Sequence, residues 1–252
     1  MSQLLRPTNP NRAARAVEPA FANDAQGESL ATRLNWLRAG VMGANDGIVS
    51  TAGVLLGVAG AAVSNQALLV AGVAAVVAGS ISMAVGEYVS VSTQRDSERA
   101  EIEHERRELT ANPQQGLEQL AGLIQAQGID QKLARQVAIQ LTKKDSLSAH
   151  TRLELGIDPT ELANPWTAAF ASMLSFVTGG AIPFAAIVLS PREVAVTVTA
   201  VAVVIALAIT GTLSAHLGHA PKLRAALRTV GGGIVAMAIT YGVGTLIGGN
   251  GL

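Results

Sequence analysis

Five stretches of this chain are apolar over about the length needed to cross a bilayer. They run from Trp36 to about Val63, Ala67 to about Val91, Pro165 to about Leu189, Val194 to about Ala215, and Thr229 to Ile247. A spanning helix needs about 20 apolar residues. In lipid every backbone N–H and C=O must be satisfied within the segment, so a stretch of this kind folds as a helix. The predicted fold class is therefore an all-α membrane protein with five transmembrane helices. Composition agrees, since 49% of the residues are hydrophobic and only 14% charged, too apolar for an ordinary soluble domain. The formal net charge of zero gives no support for a nucleic-acid partner, and the lipid bilayer is the expected one. With no Cys, disulfides, thiolate metal sites and Cys nucleophiles are excluded.

The second apolar stretch runs without a break into a charged one. Residues Ile81 to Leu109 read ISMAVGEYVSVSTQRDSERAEIEHERREL, with no Pro and no Gly-rich interruption. This predicts one helix that leaves the membrane and continues into water. At about 100° per residue, Met83, Glu87, Glu98, Glu101, Glu105 and Glu108 fall within a sector of roughly 80°. A thioether and a row of carboxylates then share one stripe, part of it at membrane depth. The alternative reading of the soluble half is a solvated face. Like charges at this spacing repel one another, and a divalent cation would relieve that.

The remaining organisation comes from breaks and periods. Residues 1–32 show no clear period and are expected to form a disordered cytoplasmic tail. No apolar core follows its Arg residues, so a secretory signal is not expected. Residues 33–91 hold spans one and two, residues 92–163 a polar insert, and residues 164–252 spans three to five. In the insert, Asn112-Pro113 stops the long helix, Leu117, Leu120, Leu123 and Ile124 repeat at helical spacing, and so do Leu133, Val137 and Leu141. Asp145 is a predicted N-cap for a last short helix ending near Gly156. A bundle of three or four helices is expected. Residues His216 to Arg228 read as a basic loop, and Gly231-Gly232-Gly233 suits close helix packing in lipid better than a phosphate loop. Lys and Arg cluster in the tail, in the insert and in the loop holding Lys222, Arg224 and Arg228, whereas the opposite turns hold only Arg192. The positive-inside rule puts the N-terminus and insert in the cytoplasm and the C-terminus outside.

Acids inside apolar segments are costly, about 2.5–3.5 kcal/mol at a span's centre on insertion scales, and mark function by default. Asp46 and Glu87 are the two in this chain. Asp46 otherwise pins a helix break at Gly47, Glu87 otherwise reaches the headgroups, and Met83 otherwise packs. Carboxylate oxygens with a thioether suit a borderline ion such as Fe²⁺ better than Mg²⁺ or Ca²⁺. Glu118 on the next insert helix, and His150 with Glu154 spaced i,i+4 on the last, are candidates to converge on the acidic stripe. Glu101-x-x-His104 matches half of a di-iron carboxylate motif, but no second Glu-x-x-His occurs. No catalytic triad or nucleotide loop stands out, and no enzyme is expected.

These residues carry a resemblance. GANDGIVST in the first span and AGSISMAVGEYVSVSTQRD at the second, followed by an acidic helical insert and three more spans, resemble the vacuolar iron transporter family from Leu34 to Gly248. The resemblance implies a five-span homodimer that moves Fe²⁺, and often Mn²⁺, out of the cytosol against inward protons. It implies pathway roles for Asp46 and Met83, with Glu87 inside the second motif. Cytoplasmic metal ligands would be Glu101, Glu105 and Glu108, with Glu98 beside them. The chain departs from plant members at Asn35 and Ala75 in the membrane. On the second insert helix, Gln114, Gln115, Gly116 and Gln119 leave only Glu118, and His150 stands where plant members use Met. It looks like the bacterial branch, with a bacterial cytoplasmic (inner) membrane as the expected location. The function expected is export of Fe²⁺ or Mn²⁺ by proton antiport, with the ion as cargo and no prosthetic group. The rival is a membrane-anchored metal sensor or buffer, which has no use for Asp46.

Overall fold

The computed structural model describes residues 30–61 and 64–249, and these are helical with no strand among them. The expected tail lies outside the described residues save for its last few. Among the described residues seven α-helices occur in chain order: α1 (Leu30–Gly60), α2 (Asn65–Ala111), α3 (Pro113–Ala126), α4 (Gln131–His150), α5 (Pro165–Leu189), α6 (Ala195–Leu217) and α7 (Lys222–Gly249). A five-residue π-helical turn, Thr151–Leu155, continues α4. Five of these helices are long and apolar enough to cross a membrane: α1 from Arg38, and α2, α5, α6 and α7.

Local chemistry sets the ends. Ser64 caps α2, its hydroxyl accepting from the Ala67 N–H at 3.2 Å. At the other end the Asn112 N–H closes on the Glu108 carbonyl, and Pro113 then opens α3 at a position where its missing N–H costs nothing. Asn164 caps α5 by accepting from the Trp166 N–H, with Pro165 at the first helical position. Asp145 breaks the helical dihedrals inside α4 and caps the final turns of that helix, accepting from both the N–H and hydroxyl of Ser148. Gly156, at φ 67°, ends the segment in the left-handed region.

Helix α1 is the hub of the bundle and packs against α2, α5, α6 and α7. Its Ile48, Ala52 and Leu56 are buried with Val203, Ala206 and Leu207 of α6 and Met237 of α7, while Leu55 meets Ile187 and Ala195. Small residues let backbones approach, as membrane packing requires. A methyl group on Gly47 would collide with the Phe176 carbonyl of α5, and one on Gly179 with the Ala44 carbonyl of α1. The Gly231-Gly232-Gly233 run contributes only in part: Gly233 packs on Leu207, whereas Gly231 and Gly232 face open space. The tightest approach between α1 and α7 is at Gly57 and Gly244 instead. The basic loop is also shorter than expected, since Lys222, Arg224 and Arg228 already belong to the first turns of α7. Large apolar side chains cover the outside of the bundle, among them Leu174, Ile209 and Ile239, a surface suited to lipid.

Helix α2 is continuous for 47 residues from apolar to charged sequence, as its unbroken pattern predicts. Tyr88 packs against Trp166 of α5 with ring centroids 4.7 Å apart and the planes tilted by 53°, an aromatic pair of the kind found at a membrane interface. Beyond it, α3 and α4 form a small second core of Leu120, Ile124, Ala134 and Ala138, flanked by Leu117, Val137 and Leu141.

Candidate metal centre

The charged half of α2 packs one face against α3 and α4. The least exposed positions along it are Val91, Arg95, Glu98, Ile102, Glu105 and Leu109, spaced alternately four and three. That is the seam of a helix packed along its length. Its centre lies roughly 60° around the helix from the centre of the predicted acidic stripe. The stripe is therefore divided. Glu105 is buried and Glu98 half-buried, whereas Glu101 and Glu108 are exposed. Gln94 holds Glu98 through a 2.8 Å hydrogen bond, and Glu108 pairs with His104 at 3.4 Å.

Glu105 meets the end of α4. His150, with no exposed surface, brings Nδ1 to 3.1 Å from Glu105 Oε1 and to 3.6 Å from Glu154 Oε2. Glu154 reaches the site because it sits four residues on, in the π-helical turn. One ligand atom from each of the three residues falls within 4.8 Å of the others, the one such acid and imidazole group of three or more among the described residues. A cation between them would lie roughly 2–3 Å from each, close to the spacing of metal–nitrogen and metal–oxygen bonds. Neither ring nitrogen of His150 has a hydrogen-bond partner of normal geometry, because Nδ1 meets Glu105 at ion-pair distance only. A buried imidazole in that state is a ligand without a lone-pair partner, and two carboxylates beside it supply the charge to match a divalent ion. Burial pushes the Glu105 carboxyl above its ordinary range. Glu154 and Glu108 push the same way, and His150 opposes them.

The third helix contributes through Gln119 rather than Glu118. Gly116, Leu120 and Ile124 are the buried positions of α3, so Glu118 points almost directly away from them. It is exposed, and Gln114 donates to it at 3.1 Å. Gln119 lies at the edge of the packed face and donates Nε2–H to Glu154 Oε1 at 2.8 Å. This leaves Oε2 of Glu154 for the histidine side. Gly116 packs on Leu109, whose Cδ2 a methyl there would strike, and the same methyl would be in ordinary contact with His150 Nε2 at 3.7 Å. A cleft of about 430 Å³ adjoins the centre, lined by His104, Glu105, Glu108, Asn112, Gln115 and Gln119. It opens a route from solvent to Glu105.

The membrane residues form no cluster of that kind. Asp46 is part-buried on α1 and accepts a short hydrogen bond from the Ser50 hydroxyl one turn on. It makes no ion pair among the described residues. Next to it, Asn45 Oδ1 is buried without a hydrogen-bond partner. Asp46 lies about 21 Å along α1 from Gly60, which is level with Gly79 on α2, and Met83 is one turn closer to the charged half. Met83 and Glu87 are part-buried, as are Ala84 and Tyr88 beside them, whereas Ser82, Val85, Gly86 and Val89 are exposed, so Met83 and Glu87 lie on the side of α2 turned toward the bundle. About 33 Å of α2 separates Met83 from Glu105.

A sequence profile described as the VIT family matches residues 37–245, which include both spans' motifs and the metal centre. The chain is similar to a vacuolar iron transporter of Acanthamoeba castellanii, with 43% identity over 97% of this chain and 92% of that protein. It is 36% identical to vacuolar iron transporter homolog 1 of Oryza sativa subsp. japonica, over 91% of this chain and 81% of the relative. To vacuolar iron transporter homolog 2.1 of Arabidopsis thaliana it is 35% identical, over 86% of this chain and 83% of the relative. These relatives are transporters from an amoeba and from plants, in keeping with the expectation of no enzyme. Motifs, five apolar helices and similarity along nearly the whole chain agree: this is an integral membrane protein, and it belongs to the VIT family.

Proposed function

We propose that the protein exports Fe²⁺, and Mn²⁺ as a second cargo, from the cytoplasm in exchange for protons. Residues 92–163 act as a cytoplasmic capture device, with residues 1–32 as a tail on the same side and residues 33–91 and 164–252 as the membrane unit. The observation that carries this is the meeting of His150 and Glu154 with Glu105, which lies on the helix that also holds Met83 and Glu87. One continuous helix links the site of capture to the membrane. Glu108 lines the cleft beside Glu105 and is exposed. Glu98, Glu101 and Glu118 make the surrounding surface acidic and raise the local cation concentration. Glu87 receives the ion at the membrane surface, and Asp46 and Met83 pass it across. Carboxylate oxygens that bind either a proton or a metal make the two compete, so protonation of Asp46 from the far side releases the ion.

Asp46 also supports a homodimer. Its carboxylate is only part-buried in the single chain, at a depth where lipid would otherwise face it. A second copy packed on that face would enclose it. The Lys/Arg asymmetry supports a cytoplasmic N-terminus and insert with the C-terminus outside. The departures from the plant pattern support a bacterial cytoplasmic membrane. The test is Fe²⁺ uptake into proteoliposomes holding the purified protein, with and without a pH gradient that is acidic inside. Uptake faster with the gradient is expected. Metal binding without uptake under either condition would leave a membrane-anchored buffer in place of a transporter.

A further inference from the structure

A second cleft, of about 580 Å³, lies between α2 and the segment that leads into α5, and its charge is opposite to that of the metal centre. Arg95, Arg99, Ile102 and Arg106 form one wall, and Thr160 and Leu162 the other. Glu103 also lines it but is engaged, 3.3 Å from Arg106. Arg95 and Arg99 make no ion pair or hydrogen bond among the described residues, and Arg95 Nε is buried with no partner. A buried guanidinium N–H without an acceptor is costly and rare. Two unpaired guanidinium groups one turn apart present a fork of donors matched to a tetrahedral oxyanion.

Position indicates which oxyanion. Arg95 and Arg99 come after Tyr88 of the Tyr88–Trp166 pair by seven and eleven residues, about 10 and 16 Å along the helix. Helical side chains lean toward the helix N-terminus, which for α2 is the membrane side. Their donors therefore reach back to the level of lipid headgroups, where phosphate is the abundant anion. Ile102 and Leu162 give the cleft an apolar flank.

We propose that this cleft binds a phosphate group through Arg95 and Arg99. The phosphate comes from an acidic lipid headgroup or from free phosphate. The test uses the full chain in detergent at fixed ionic strength and follows the thermal unfolding midpoint, since a ligand bound only to the folded state raises it. The probes are inorganic phosphate, dioctanoyl phosphatidic acid and, as a control, dioctanoyl phosphatidylcholine. A rise with phosphatidic acid alone identifies the lipid source, and a rise with inorganic phosphate identifies the free ion. In either case Arg95→Gln/Arg99→Gln is expected to weaken binding about tenfold or more. The exposed single change Arg99→Gln gives the same direction without risk to folding. Arg224→Gln/Arg228→Gln, on the first turns of α7, leaves the rise intact. No rise with either phosphate probe, or a rise unchanged in both Arg99 variants, or one lost equally in the α7 variant, overturns the assignment.

Discussion

Gln119 is the residue whose role the structure changes most, and Gln119→Ala is the corresponding perturbation. The side chain is exposed and lies at the edge of the α3 packing face, so its removal costs the fold little, within about 0.5 kcal/mol. It nevertheless holds Glu154 Oε1 through a 2.8 Å hydrogen bond and leaves Oε2 on the side of His150. Without that restraint the Glu154 carboxylate, on a π-helical turn next to Gly156, swings free, and each binding event must restore its orientation. Partners that orient a metal ligand from behind are worth about 10–100-fold in affinity, equivalent to about 1.4–2.7 kcal/mol. Calorimetric titration of the purified protein with Mn²⁺, the second cargo proposed above and an ion that resists air oxidation, reads this directly. The neighbouring change Glu118→Gln removes a whole negative charge but lies on the opposite face, and is expected to change affinity less than about twofold. Equal losses in the two variants, or unaltered affinity in Gln119→Ala, would refute the reasoning, because charge alone or nothing on α3 would then govern the site.

The geometry gives three further outcomes. Burial raises the Glu105 carboxyl above 4.5, so the folded protein without metal holds a proton that the unfolded chain has already lost. That contribution is fully present below about pH 4.5 and is lost as pH rises through the raised value. The thermal midpoint of the metal-free protein should therefore fall over that window, fall less in Glu105→Gln, and be restored by metal. A fall of equal size in Glu105→Gln would assign it to another group. Gly179→Leu, which drives a side chain into the Ala44 carbonyl, should destabilise the bundle by about 1–3 kcal/mol or more, on the order seen for overpacked cores, whereas Gly231→Leu faces open space and should be neutral. Thermal midpoints of the two variants in detergent check this, and equal midpoints would contradict the close α1–α5 approach. Cys residues introduced singly at Ser148 and Asn250 should label from opposite sides of the membrane, and labelling of both from one side would remove the five-span topology.

Period and composition carry far in this chain. Five apolar stretches form five helices because lipid leaves the backbone no alternative, and the run from Ile81 to Leu109 forms part of one helix because no Pro or Gly-rich break interrupts it where it enters water. Asn112-Pro113 and Gly156 end their segments, and Asp145 caps the last turns of α4, by chemistry that is local and so visible in sequence. The rotation of α2 against its neighbours is not visible there. An ideal 100° step groups Glu98, Glu101, Glu105 and Glu108, while packing chooses the seam through Ile102 and Leu109 and leaves only Glu105 buried. Glu118 stands out over Gln119 in the sequence because a carboxylate is the better ligand. The phase of Gly116, Leu120 and Ile124 nevertheless holds the signal that 119 and not 118 lies beside the packed face. The glycine run at 231–233 misleads for a similar reason, since which face of α7 meets α1 is a tertiary property. Unpaired Arg95 and Arg99 cannot be recognised among so many charges, because pairing depends on where the chain after Asp158 returns.

The central claim is that this chain moves metal through its membrane helices and does not only bind it at Glu105, His150 and Glu154. Asp46→Asn tests it most directly. The amide keeps the side chain's size and can still take the Ser50 hydrogen bond, and burying it costs less than burying a carboxylate, so the variant should fold. It removes the oxygen that exchanges a proton for a metal. The measurement is the initial rate of Fe²⁺ uptake into proteoliposomes under an inside-acid pH gradient, alongside metal binding by the same preparation. Transport lost with binding retained is the expected result. Wild-type uptake by Asp46→Asn would contradict the account.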